Sequence, residues 1–470
     1  MNCKSIILLI VVLLFWGNAE ARKKKGKKVE EVQTESAYRK FFKGKACETA
    51  KGMITLHKMD GRVYFEIPLA LMGREMLMGS TISEITNNGF GSVGEKPKGL
   101  LYISFVRCDS VISLKQLTAQ YDTNEENLKQ RIKESTIPAT IKNFKITTYN
   151  EDSTAVVIDM TDYLVSADEA IDPFSPWAPI LAGGERVMEK EFRRENSQVV
   201  SIKAFEDNVS VKSSLTYGLS LKNKVMYIFQ REPFTAVMTR SFILLPEHPM
   251  RPRLADPRIA IFSQGVSVFN GDSRGAQARY YAQRWNLEPK DMEQYRKGVL
   301  TEPKKPIVFY VDNTFPENWK KYIKEGVEVW QMAFEKIGFK NAIVARDFPV
   351  DDVTFDPDNL KYSCVRYSPS WVANAMGPSW TDPRTGEIIN ASVYLYHNLV
   401  KMVQNWRFIQ TGPADANVRK IVFDEETLGE CIRYVVSHEI GHCLGFMHNM
   451  AASSAIPVDS LRSPSFTQKY

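Results

Sequence analysis

At 470 residues, with 44% apolar and 25% charged side chains, the chain is long enough for two or three folded domains. The formal net charge is +6, but residues 1–28 hold seven Lys/Arg and one Glu, which leaves 54 basic and 54 acidic residues in the remainder. A neutral body gives no support to nucleic-acid binding by the globular part. No apolar run is long enough for a membrane-spanning helix.

Lys4, the apolar run Ile6–Trp16 and Ala19-Glu20-Ala21 read as a signal peptide over residues 1–21, cleaved after Ala21. The mature protein is expected in the periplasm, on the cell surface or outside the cell. Cys3 precedes the apolar run, which argues against a lipid-modified cysteine. Arg22–Lys28 opens a basic, disordered tail over residues 22–37. Beyond the signal remain Cys47, Cys108, Cys364, Cys431 and Cys443, an odd number at irregular spacing and therefore no disulfide framework. Most of them are read as small buried packing residues.

From Tyr38 to about Leu287 the pattern is mostly β. Arg62–Ile67, Leu100–Val106, Ala155–Asp159, Val199–Lys203 and Lys224–Phe229 are rich in β-branched and aromatic residues. Polar clusters such as Asn150–Ser153 separate them, and Asn124–Glu134 is one of few helical stretches. The expected division is a small β domain over 38–90 and a β-rich domain over 91–295. His57 and His248 are isolated in sequence and read as ordinary histidines.

After the Pro-rich hinge Glu302–Pro306, Ile307–Val311 reads as a buried strand. Pro316 opens a helix with apolar residues at Trp319, Ile323, Val327, Trp330, Phe334 and Ile337, and Gly338 closes it. Strands follow near Ala342–Ala345, Tyr362–Tyr367 and, after the turn Asp382–Gly386, Glu387–Tyr396. Asp424 caps a last helix whose buried stripe is Leu428, Cys431, Ile432, Val435 and Val436.

That helix carries His438-Glu439-Ile440-Gly441-His442-Cys443-Leu444-Gly445-Phe446-Met447-His448. Histidines four apart share a helix face, so His438 and His442 can offer two imidazoles to one ion. Gly445 can take a positive φ and turn the chain, bringing in His448 as a third ligand. Three of the chain's six histidines fall within eleven residues, which chance placement does not explain. Three protein ligands with an open fourth position describe a catalytic zinc site, here one Zn2+ ion. Glu439 stands beside the first ligand as general base for a zinc-bound water. His397 is set aside as a ligand, because the motif already supplies a complete set.

The full pattern resembles that of the metzincin zinc peptidases. The stretches Asp382–Asn390, Gly326–Phe334 and Ala255–Ile259 look like those of a family of large secreted bacterial zinc metalloproteases with two domains before the catalytic one. The resemblance implies an α+β fold: a β-rich N-terminal region, then a metzincin-type N-terminal catalytic subdomain over 302–470. That subdomain would be a twisted mixed sheet with a backing helix and the active-site helix. It also implies an exported endopeptidase acting on peptide or protein substrates, with the strand Glu387–Tyr396 as the upper edge of the cleft. Metzincins carry a methionine turn well after the third histidine, and Met447 and Met450 stand too close to His448 to form one. The chain is therefore expected to continue past Tyr470, and this catalytic domain to be incomplete. Two other readings remain open. One is a catalytically silent metzincin-like protein binding protein or polysaccharide through its β-rich region. The other is a zinc hydrolase of non-peptide amides.

Overall fold

The structure, a computed structural model, describes residues 35–181, 185–271 and 275–469. The expected signal peptide and nearly all of the basic tail lie outside the described residues. The described residues from Ala37 onward form one compact unit of mixed α/β structure, with strands dominating its N-terminal part.

Alternating apolar residues such as Val63, Phe65 and Ile67 on the strand Arg62–Pro68 point into a single core. All strands between Cys47 and Leu244 except Tyr121–Asp122, which pairs with Ser263–Val268, build one antiparallel sheet, in which Arg62–Pro68 pairs with Ala155–Asp159 and Met76–Ile85 with Tyr227–Leu244. Strands from 38–90 and from 91–295 thus share one sheet and one core. The sheet curls until its ends meet: Met53 N donates to Phe205 O (2.7 Å) and Lys58 Nζ to Val200 O (2.6 Å).

Local chemistry moves one expected strand. The run from Lys224 begins as a hairpin turn, because Asn223 Oδ1 accepts from Val225 N (2.8 Å) and Met226 N (2.9 Å). Both apolar residues point outward there, and the strand starts at Tyr227. His57 is buried, with Nε2 2.9 Å from Glu66 Oε2 and Nδ1 3.0 Å from Thr49 Oγ1; His248 is exposed.

The C-terminal region opens with β1 (Ile307–Val311), then α1 (Glu317–Glu328) and α2 (Gln331–Lys336). The expected single helix breaks at Val329–Trp330, and its second half is largely exposed. β2 (Ile343–Asp347), β3 (Ser363–Ser368), β4 (Ala375–Met376), β5 (Ser379–Thr381) and β6 (Ile388–Tyr396) follow. Then come α3 (Leu399–Thr411) and α4 (Glu425–Cys443). The sheet order is β2-β1-β3-β6-β4, parallel except that β4 and β5 run antiparallel to β6. Trp319, Ile323 and Val327 of α1 and Ile432, Val436 and Ile440 of α4 share one core with Phe309, Val365 and Val393 of the sheet.

Candidate metal centre

Three devices place the histidines. Asp424 caps α4, its Oδ1 accepting from Thr427 N at 2.9 Å. That bond and Lys420 hold the Asp424 carboxyl well below the usual carboxylate range. The apolar side of α4 is buried against the sheet, which turns His438 and His442 toward solvent. Gly445, at φ +103°, then reverses the chain, a conformation costly for any residue with a Cβ. Gly445 N donates to His442 O (2.9 Å) and Phe446 N to Gly441 O (3.0 Å), and His448 returns beside the helix.

The result is a tight cluster. His448 Nε2 lies 3.1 Å from His438 Nε2 and 3.2 Å from His442 Nε2. His442 Nδ1 is 2.7 Å from Phe446 O, a partner that can only accept, so Nδ1 carries the proton and Nε2 keeps its lone pair. Burial, and then the charges of the other two imidazoles, lower the His438 pKa and favour the neutral form that a metal requires. Among the described residues these are the three that could hold a metal ion together. The donor chemistry fits zinc: three imidazoles and, among the described residues, no fourth side chain grouped with them.

Glu439 is buried, and burial pushes its carboxyl up to about 7. It faces a cleft of ≈ 1040 Å³ shared with the three histidines, Phe262, Trp406 and the segment Asn374–Ser379. His397 lies elsewhere, its Nδ1 2.9 Å from Tyr367 Oη and its ring stacked on Trp319. Cys443 is fully buried, with Sγ 3.8 Å from Ser392 O, and its thiol is raised far above its usual range by burial.

The expected upper edge needs correction. β6 is interior, paired with β3 on one side and with β4 and β5 on the other. The short β4–β5 segment covers its free side and lines the cleft instead. Phe262, Gln283 and Trp406 also line the cleft and carry no local signature in sequence. They come from distant segments, and only tertiary pairing brings them there.

Residues 420–470 match the family described as Met-zincin (DUF4953). Residues 96–290 and 35–85 match two domains of unknown function, DUF5117 and DUF5118. No curated protein and no solved structure matches the chain. Among the described residues no helix is long and apolar enough to cross a membrane. The Met-zincin match and the three-histidine cluster fall on the same helix and turn, and together they support a metzincin-like reading of this region.

Proposed function

We propose that the protein is an exported zinc endopeptidase, with His438, His442 and His448 as ligands and Glu439 as general base. The observation that carries this reading is the convergence of three Nε2 atoms beside a buried carboxyl in an open cleft. Zinc, when bound, supplies Lewis acidity to the attacking water and the scissile carbonyl. Glu439 accepts a proton from that water and delivers it to the leaving amine. The exposed side of β4 offers an extended peptide main-chain hydrogen bonds. Phe262, Met402, Trp406 and Tyr434 line the cleft and favour bulky apolar side chains near the cut. In this reading 302–470 is the catalytic region, preceded by the segments 38–90 and 91–295, whose strands share one sheet and one core. Export rests on the reading of residues 1–21.

The test is elemental analysis beside peptide hydrolysis by the natural full-length protein. Wild type should hold one zinc per chain, and His442→Ala should lose it. Glu439→Gln should keep zinc while hydrolysis drops by about three orders of magnitude. A Glu439→Gln protein as active as wild type would overturn the mechanism. A zinc-loaded wild type that cuts nothing in a broad peptide library would favour the silent binding protein.

A further inference from the structure

The loop bearing the third histidine is exposed from Phe446 to Met450, yet its approach is fixed by backbone from far upstream. Phe262 N donates to Gly445 O (2.8 Å) and Met447 N to Ala260 O (2.9 Å), with Ile261 bridged to Phe446 in antiparallel register. Gln283 N in turn donates to Phe262 O (2.8 Å). Arg284 N donates to Gly386 O (3.0 Å), and Ile388 N donates to Arg284 O (2.9 Å). A continuous row of main-chain bonds therefore runs from the start of β6, through residues 283–284 and 260–262, to the turn before His448. Beside it, Trp285 Nε1 donates to Cys443 O (2.9 Å), the carbonyl directly after His442. The fit is close: a Cβ on Gly445 would lie 2.3 Å from Gln283 O. The Phe262 ring stands 6.1 Å from that of His442, on the wall of the cleft.

We infer that Ala260–Phe262 and Gln283–Trp285 are positioning residues of the metal centre. The segment matched as a domain of unknown function, residues 96–290, is thus a fixed part of the site. The inference rests on the zinc reading above. Ordering the backbone of a free loop costs conformational entropy. A ligand loop already paired on both sides of its turn spares that cost when metal binds. Outer groups of this kind typically set metal affinity within a factor of about 10–100.

The experiment uses the full chain in four forms: wild type, Trp285→Phe, Phe262→Pro and Val63→Ala. Trp285→Phe removes one N–H and keeps a ring. Phe262→Pro removes the donor to Gly445 O. Val63→Ala opens a cavity in the distant β-sheet core. Zinc affinity is read by competition with a chromophoric chelator, ligand geometry by the visible spectrum of the cobalt(II) form, and folding by the thermal midpoint. Trp285→Phe should weaken zinc about tenfold and shift the cobalt bands, with Phe262→Pro larger in both. Val63→Ala should lower the midpoint and leave affinity and spectrum unchanged. Wild-type affinity and spectrum in a folded Trp285→Phe would overturn the inference, even if Phe262→Pro failed to fold. So would equal loss of zinc in Val63→Ala. A wild type that binds no zinc would instead sink the three-histidine reading, and this inference with it.

Discussion

Replacing Gly377 by alanine should loosen the site without touching a ligand. A Cβ there would sit 2.2 Å from Glu439 O, 2.9 Å from Glu439 C and 3.1 Å from its Cα. Ordinary contact begins at 3.4 Å, so the two backbones must part by about 1.2 Å. Neither partner yields easily. Met376 is paired with Tyr394, and Pro378 O is held by Ser392 N at 3.0 Å, so the strand side is pinned from both flanks. The other side is the interior of α4. With no side-chain rotamer to absorb the clash, the cost belongs at the upper end for overpacking, about 3 kcal/mol. Spread over a unit that runs from Ala37 onward, that corresponds to a fall of about 3 °C in the thermal midpoint. Because Glu439 moves with its backbone, a displacement near 1 Å should also cost about 100-fold in hydrolysis. Gly99→Ala, with nothing within 4 Å of its Cβ, is the control and should stay within about 0.5 kcal/mol of wild type. Thermal melts and hydrolysis of the three proteins decide the matter. A Gly377→Ala protein with wild-type midpoint and rate would refute the packing argument.

Lys96 should impose a pH slope on stability. Burial lowers its pKa to about 8, although its Nζ lies 3.1 Å from Ser392 Oγ and 4.4 Å from the centre of the Trp380 ring. The unfolded chain keeps this proton up to about 10.5 and the folded one releases it near 8, so stability rises with pH between those values. From pH 8 to 9.5 wild type should gain about 1.5 kcal/mol relative to Lys96→Met, read from denaturant midpoints; parallel pH profiles would refute this. Trp330 stacks on Phe446 at 5.7 Å and donates Nε1 to Ser437 O at 2.9 Å, so Trp330→Ala should cost about 2 kcal/mol by the same assay. Zinc at about 1,000 times its dissociation constant should stabilise the protein by about 4 kcal/mol. A chelator should reverse that gain, and an equal thermal shift in His442→Ala would show that the metal binds elsewhere.

Sequence exposed the centre far better than its surroundings. The metal motif is local: a cap at Asp424, histidines four apart and Gly445 at the reversal all follow from helix geometry, and each stands where that geometry puts it. The break at Val329–Trp330 was hidden because the apolar period continues across it. α3 has no clean stripe: Leu399 and Val403 are buried, whereas Trp406, Phe408 and Ile409 are exposed. β4 and β5 are two and three residues long, too short for any alternation to register. The contacts of Phe262 and Gln283 with Gly445 span more than 150 residues of chain, a relation that no local period encodes.

The brevity of β4 has a further consequence. A long free strand edge invites pairing with another copy of the same chain and hence aggregation. Here the edge facing solvent is interrupted after two residues by Gly377-Pro378, and proline has no N–H to offer. At the opposite edge β2 ends in exposed Arg346 and Asp347, whose charges resist a neighbouring sheet. Both margins of the sheet are thus too short or too charged to template a second molecule. An extended peptide that enters the cleft finds a few main-chain partners beside β4, while a whole folded copy finds no ladder to extend.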